Sequence, residues 1–246
     1  MKNLRFGILL ILTLSCQGPE VSDTPSVEAT DTIGMISRGT ELSDTTTYLE
    51  RRAPSTPAPP PDYDTTQWTD LADREAGILI DMRYATDSNF VEEKMYPCSR
   101  CFLRPAVARA VIAAHRELAG RNMGLKMLDC YRPLPIQWKL WEKVPDRRYV
   151  SDPRKGSMHN RGAAVDLTIV DSQGRELNMG TPYDFFGREA YHTFTSLSDS
   201  ILENRRLLKN LMERHQFRSI RTEWWHYSFT GASYELSDMV WNCPGD

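Results

Sequence analysis

The sequence has no excess of basic residues. Its 246 residues include 30 Lys and Arg against 33 Asp and Glu, which gives a formal net charge of −3. Because no global positive field would attract nucleic acid, we expect no nucleic-acid partner. The mean hydropathy of −0.50 excludes a polytopic membrane protein. Cysteine is scarce: five residues are too few for a disulfide scaffold at this length, and their odd number indicates that one has a separate role.

The start of the chain has the composition of a bacterial export signal. Lys2 and Arg5 precede an apolar run at 6–14, which is too short to span a bilayer as a helix. The run leads to Cys16 in a pattern that resembles the lipoprotein signal, in which this cysteine becomes the lipidated first residue of the mature protein. We therefore expect a signal peptide at 1–15, lipidation of Cys16, and an exported protein anchored to a bacterial membrane and facing the periplasm or the cell exterior. Ordinary secretion with an unmodified Cys16 is the alternative.

Residues 16–61 predict a disordered tether. Seven of the 15 prolines lie in this stretch among Thr, Ser and acidic residues, with little apolar periodicity. Such a composition cannot bury enough apolar surface to offset the loss of conformational entropy on ordering. The leader carries a charge of +2 and the tether −4, so residues 62–246 carry −1. A nearly neutral folded part suits a small or zwitterionic substrate better than a polyanion.

Residues 62–246 predict one catalytic domain of the α+β class. Apolar periodicity indicates amphipathic helices, and runs of apolar and β-forming residues indicate strands. The predicted helices are 105–121, 136–143 and 204–215, and the predicted strands are 78–84, 125–130, 163–170 and 218–229. A turn at 171–174 leads into a further strand and predicts a hairpin. Helices and hairpins in this irregular order indicate a mainly antiparallel central sheet flanked by helices.

Two histidines and an aspartate form the candidate metal site. His159 lies in a loop between Gly156 and Gly162, and Asp166 lies in an otherwise apolar strand, where an unpaired carboxylate would be costly to bury. A cation would compensate for that cost. His226 follows two tryptophans, whose rings would keep water scarce. Two nitrogen ligands and one oxygen ligand match the pattern of catalytic zinc, which leaves its fourth position open to water, whereas a structural zinc site usually has all four positions closed.

Glu223 and Arg132 are the candidate catalytic residues. Glu223 lies in the same Glu-Trp-Trp-His segment as His226, so its carboxylate could take a proton from an attacking water and return it to the leaving amine. Arg132 follows a predicted strand and is fixed by Pro133. Its guanidinium could stabilise the oxyanion of a tetrahedral intermediate. An arginine in this position is also compatible with a surface turn.

These residues form a pattern that resembles the zinc D-alanyl-D-alanine dipeptidase family, the VanX type. The central motifs are Ser157-x-His159-x-x-Gly162-x-Ala164-x-Asp166 and Glu223-Trp224-Trp225-His226. The similarity extends to Tyr84-Ala85-Thr86-Asp87-x-Asn89-Phe90, Asp129-x-Tyr131-Arg132-Pro133 and Met179-Gly180-x-x-Tyr183-Asp184-Phe185. The related D,D-carboxypeptidases usually have Pro-Trp-His where this chain has Trp-Trp-His, so Trp224 favours the dipeptidase branch. The resemblance implies the zinc D-Ala-D-Ala peptidase fold, which is hedgehog-like.

The resemblance also implies one zinc ion per chain and a role for eight residues. These are the zinc ligands His159, Asp166 and His226, the general base and acid Glu223, the transition-state stabiliser Arg132, and the substrate-binding residues Tyr84 and Asp184, near the free amino group, and Ser157. The implied function is hydrolysis of the zwitterionic dipeptide D-alanyl-D-alanine to two D-alanines in cell-wall peptide turnover. The alternatives are a D,D-carboxypeptidase or other peptidoglycan peptidase, and an inactive zinc-containing cell-wall binding module. The sequence indicates no oligomeric state.

Four cysteines remain in the folded part once the cysteine of the leader is set aside. An exported protein favours disulfides over free thiols. Cys98, Cys101, Cys130 and Cys243 allow three pairings, and our working expectation joins Cys98 to Cys101 and Cys130 to Cys243. In that pairing, the bridge at Cys130 would hold the strand end that carries Arg132.

Overall fold

A mainly antiparallel sheet forms the centre of the described fold. The computed structural model describes residues 60–75 and 77–243. In chain order, the strands are β1 Thr69–Asp70, β2 Leu79–Ile80, β3 Phe102–Leu103, β4 Met123–Asp129, β5 Ala164–Asp171, β6 Phe217–Ile220 and β7 Glu223–Phe229, and the helices are α1 Pro105–Ala119, α2 Leu134–Lys143 and α3 Asp199–Arg214. Five strands form one sheet in the order β2, β4, β5, β7, β6, and β1 pairs with β3. Only the pairing of β2 with β4 is parallel in the described sheets, so the predicted α+β fold is confirmed.

The helices that flank the sheet carry apolar stripes. In α1 the side chains of Val107, Val111, Ala114 and Leu118 are buried, and their spacing of three or four residues places them on one helix face. Pro105 occupies the first turn of α1, where its missing N–H costs no intrahelical hydrogen bond. Helix α1 packs against β4, and α3 packs against β6. None of the helices in the described part of the chain is long and apolar enough to cross a bilayer.

Part of the predicted organisation lies outside the described residues. This applies to the signal peptide at 1–15, to Cys16, and to all but the last two residues of the tether at 16–61. The lipidation site and the boundary between signal and tether therefore stay predictions.

Three predicted strands differ from the structure. The strand predicted at 218–229 is the hairpin of β6 and β7, because its uniformly β-forming composition hides the turn at 221–222. The strand predicted at 78–84 is reduced to β2, because the chain then forms a 3-10 turn at Arg83–Ala85 that directs the Tyr84 ring into the core. The strand expected after the 171–174 turn contributes a single bridge, between Val170 and Glu176.

The expected cysteine pairing is wrong. The described fold contains two disulfides, which are Cys98–Cys243 and Cys101–Cys130. Strand β3 explains the second: the Tyr131 N–H donates to the Phe102 carbonyl at 2.9 Å. This contact brings the preceding residues, Cys101 and Cys130, to a Cα separation of 5.3 Å. Cys130 is thus bridged at the strand end before Arg132, although by another partner than expected.

The C-terminal segment fixes the loop that carries His159. The Ser237 N–H donates to the Asn160 carbonyl at 3.0 Å, and the Arg161 guanidinium donates to the Tyr234 carbonyl at 2.8 Å. The Leu236 side chain covers Gly156, whose positive φ of 67° favours glycine. The loop is therefore held in place by residues 234–237 of the C-terminal segment.

Candidate active site and metal centre

Three elements of the fold bring His159, Asp166 and His226 together. Asp166 on β5 and His226 on β7 are directly opposite each other in the antiparallel register, so their side chains leave the sheet on the same face. His159 begins a single 3-10 turn that ends at Gly162 with a φ of 67°. A Cβ at Gly162 would lie 2.5 Å from the Trp68 ring, so both the conformation and the packing require glycine there.

The three side chains converge as the ligands of a tetrahedral metal ion would. His159 Nε2 lies 3.3 Å from Asp166 Oδ1, His226 Nδ1 lies 2.9 Å from Asp166 Oδ1, and the two ring nitrogens are 3.1 Å apart. In a tetrahedral zinc site with ligands at about 2.0–2.2 Å from the ion, neighbouring ligand atoms are about 3.3–3.6 Å apart. The donor set of two imidazoles and a carboxylate therefore fits zinc, and its ligand atoms lie slightly closer together than in a tetrahedral site.

Each of these three side chains has a second contact that orients it. His159 Nδ1 donates to the Cys130 carbonyl at 2.7 Å, which leaves the Nε2 lone pair directed at the centre of the cluster. His226 Nε2 lies 3.1 Å from Ser228 Oγ, and the Tyr183 hydroxyl donates to Asp166 Oδ2 at 3.0 Å. Such outer contacts hold metal ligands in their binding orientation. Burial alone would raise the pKa of Asp166, but the two facing imidazoles hold it well below its usual range.

Glu223 shares a cavity of about 290 Å³ with the three side chains. A regular strand would direct residues three positions apart to opposite faces. The pairing of β6 with β7 is irregular. Ser219 of β6 lies opposite Tyr227 of β7, but the next β6 residue, Ile220, lies opposite Glu223, so three residues of β7 have no partner in β6. The irregularity allows Glu223 and His226 to line the same cavity. Burial raises the pKa of the Glu223 carboxyl to about 8, which is the range of a proton acceptor that works near neutral pH.

Arg132 lines the same cavity from the end of β4. Its guanidinium donates to Asp129 Oδ2 through Nε at 3.1 Å and Nη2 at 2.6 Å, and to Gln137 Oε1 through Nη1 at 2.9 Å. The guanidinium also lies over the Tyr84 ring, 5.0 Å from its centroid. Burial opposes the charged form, but the Asp129 carboxylate outweighs it and raises the pKa of Arg132. The result is a fixed cation facing the cavity.

Asp184, Tyr84 and Ser157 complete the set of predicted residues. The Tyr84 hydroxyl donates to Asp184 Oδ2 at 3.0 Å, and burial raises the pKa of the Asp184 carboxyl well above its usual value. Asp184 has a φ of 58°, a strained backbone conformation that is common at binding sites. Ser157 donates to Asn160 Oδ1 through both its N–H and its hydroxyl, at 2.7 Å and 2.9 Å. All eight predicted residues of the described chain therefore line one cavity.

Comparison with known proteins agrees with this geometry. A family model described as D-Ala-D-Ala dipeptidase matches residues 64–242. The chain belongs to that family. Membership makes the protein a zinc metallopeptidase of the dipeptidase type.

Two curated relatives of this dipeptidase cover most of its folded part. A D-alanyl-D-alanine dipeptidase of Escherichia coli (strain K12) is 35% identical over 185 residues, which cover 73% of this chain and 94% of the relative. A D-alanyl-D-alanine dipeptidase of Enterococcus faecalis (strain ATCC 700802 / V583) is 31% identical over 179 residues, 64% of this chain and 89% of the relative. A solved vancomycin-resistance D,D-pentapeptidase, VanY, in complex with Zn(II) is more distant, with a TM-score of 0.38, 13% identity and coverage of 53% of this chain and 74% of that one.

Sequence reasoning missed three polar residues of the dipeptidase site. Asp129 is fully buried and accepts hydrogen bonds from Arg132 and, at 2.7 Å, from the Tyr96 hydroxyl. Gln137 links Arg132 to the Ser151 carbonyl, and Tyr183 holds Asp166. Asp129 could have been found by the signal that identified Asp166, since both are acids in apolar strands. The other two carry no such signal, because a glutamine on a helix and a tyrosine in a loop are common.

Proposed function

We propose that this dipeptidase hydrolyses D-alanyl-D-alanine to two D-alanines and holds one zinc ion with His159, Asp166 and His226. The observation that carries the proposal is the convergence of these three side chains with Glu223 and Arg132 around one small cavity. The named activity of the two curated relatives supports the same substrate. When bound, zinc would supply Lewis-acid polarisation of the scissile carbonyl and increase the acidity of a nearby water.

One part of the cavity suits the ammonium group of a zwitterionic dipeptide. The partly buried carboxyl of Asp184, with the Tyr84 hydroxyl 3.0 Å away, would bind the substrate ammonium. Burial raises the pKa of the Asp184 carboxyl in the free protein, and a substrate ammonium beside it would favour the charged carboxylate. A substrate with a blocked amino group would leave Asp184 without this partner, which favours free dipeptides.

Glu223 and Arg132 would act on the peptide bond itself. Glu223 accepts a proton from the attacking water, whose oxygen forms the new bond to the carbonyl carbon. The N–H groups of Arg132 stabilise the negative charge that develops on the carbonyl oxygen. Glu223 then returns the proton to the amide nitrogen as the C–N bond breaks, and the second D-alanine leaves with a neutral amine.

The direct test is hydrolysis of D-Ala-D-Ala by the purified protein. We expect release of two D-alanines for each dipeptide consumed, from protein that contains about one zinc ion per chain by elemental analysis. Peptidoglycan peptides that end in D-Ala-D-Ala provide the comparison substrates. No hydrolysis of the dipeptide by zinc-loaded protein would contradict the proposal, and release of D-alanine only from the longer peptides would assign the enzyme to the D,D-carboxypeptidases.

We also propose that the enzyme is exported and anchored through a lipid on Cys16. The leader sequence supports this location, and so do the two disulfides of the described fold, since such bonds persist in oxidising compartments. An exported enzyme would meet dipeptide released from the cell wall, which favours a role in recycling. Labelling with a fatty-acid probe in cells tests the anchor: we expect label on the wild type and none on Cys16→Ala, and equal labelling of both would contradict it.

A further inference from the structure

Three aromatic rings from separate loops meet at the edge of the cavity. The rings of Phe90 and Phe186 are 4.9 Å apart at their centroids, and Phe186 stacks on Tyr149 at 4.4 Å with an angle of 23° between the planes. All three side chains line the cavity. We refer to Phe90, Phe186 and Tyr149 as the aromatic wall. Phe186 is its central member, because it contacts both of the others.

The aromatic wall lies next to the pair of residues that would bind the substrate ammonium. Phe186 follows Asp184 by two residues in the same loop. Phe90 makes an edge contact with the Tyr84 ring, 6.2 Å between centroids, and Tyr84 donates to Asp184. The wall therefore adjoins the two residues that would bind the amino group.

We propose that the aromatic wall determines the length of the substrate, because Phe186 occupies the space into which a peptide would extend beyond its amino nitrogen. The inference rests on the proposed function, which places that nitrogen beside Asp184. An acyl group on the nitrogen would have to displace the stacked rings of Phe186 and Tyr149. Such a displacement would break the contacts of Phe186 with Phe90 and Tyr149, so the wall disfavours extended substrates in addition to the loss of the ammonium charge.

The neighbouring residue offers a matched control. Phe185 and Phe186 are the same residue type in the same loop, and their exposed fractions are 39% and 37%. The ring of Phe185 faces Gly187, and Phe185 is not among the residues that line the cavity. Truncation of Phe185 therefore removes a comparable apolar surface without opening the wall.

The test compares kcat/KM for D-Ala-D-Ala with kcat/KM for N-acetyl-D-Ala-D-Ala, which carries an acyl group on the amino nitrogen. We expect Phe186→Ala to raise the ratio of acetylated to free substrate at least about tenfold, and Phe185→Ala to leave the ratio within about twofold of wild type. Tyr149→Ala removes the stacking partner from the opposite loop and should raise the ratio as well. Circular dichroism confirms the fold of each variant, and Phe186→Leu replaces Phe186→Ala if the latter does not fold.

The outcomes separate this inference from the proposed function. A wild type that hydrolyses D-Ala-D-Ala, together with an unchanged ratio in Phe186→Ala and Tyr149→Ala, would overturn the role of the wall and leave the function standing. An equal rise in Phe185→Ala would overturn it too, because the effect would not depend on the cavity. A wild type without activity on D-Ala-D-Ala would overturn the function and, with it, the wall.

Discussion

Glu223→Gln is expected to lower kcat for D-Ala-D-Ala hydrolysis by about 10²- to 10⁴-fold, the usual contribution of a general acid and base. The amide has nearly the shape of the carboxyl group but cannot accept a proton from water or return it to the leaving amine. Because the same group acts on both sides of the tetrahedral intermediate, no second residue of the cavity replaces it. KM should change little, since the proposed binding of the substrate ends depends on other side chains.

The stability of Glu223→Gln should not fall with its activity. Burial raises the pKa of Glu223 to about 8, so ionisation of this carboxyl is less favourable in the folded chain than in the unfolded chain. A carboxyl with a raised folded-state pKa costs stability as the pH rises towards and through that value. Glutamine removes this cost, and the thermal midpoint at pH 8 should equal or exceed that of the wild type.

Steady-state kinetics, calorimetry and zinc analysis of the same preparations distinguish loss of chemistry from loss of structure. The exposed Glu235 provides the control, and Glu235→Gln should retain wild-type kcat. A Glu223→Gln variant with normal zinc content and kcat within about threefold of wild type would remove Glu223 from the proposed role. Loss of zinc in this variant would show instead that Glu223 supports the metal site.

The fold could be predicted from the sequence where the apolar residues of a single helix or strand follow a regular spacing. Helix α1 follows from its apolar stripe, with Pro105 at the start and Gly120 at the end, and β5 follows from an apolar run. The hairpin of β6 and β7 could not be predicted, because both strands and the turn share one β-forming composition. The cysteine pairing depends on β3, a strand of two residues that has no periodicity at all.

The site was predictable where a polar or ionisable residue lies among apolar neighbours in the sequence. Asp166 in an apolar strand and His226 beside two tryptophans each require a polar partner, and the β5–β7 register makes them partners of each other. The position of Glu223 in the same cavity was not deducible from spacing, since three residues along a regular strand reverse the face. The irregular pairing of β7 with β6 supplies that position.

Arg132→Lys is expected to lower kcat and kcat/KM together, by about 10²- to 10³-fold, as does the loss of one preorganised donor to an oxyanion. The guanidinium has five N–H groups. Three of them are engaged by Asp129 and Gln137, which leaves one on Nη1 and one on Nη2 for the substrate. Lysine is a point charge on a flexible stem, so it cannot hold the buried Asp129 carboxylate and the oxyanion in the same fixed geometry.

Arg104 is the matched control for this substitution. It is as buried as Arg132, with exposed fractions of 9% and 8%, and it also has a fixed guanidinium, which donates to the Gln67 amide and the Arg161 carbonyl and lies over the Trp68 ring. It does not line the cavity. Arg104→Lys should therefore lower the thermal midpoint while kcat stays within a few-fold of wild type. If both variants lose activity equally, the effect of Arg132→Lys arises from disturbed packing. If Arg132→Lys retains kcat within about threefold of wild type, the guanidinium does not stabilise the transition state.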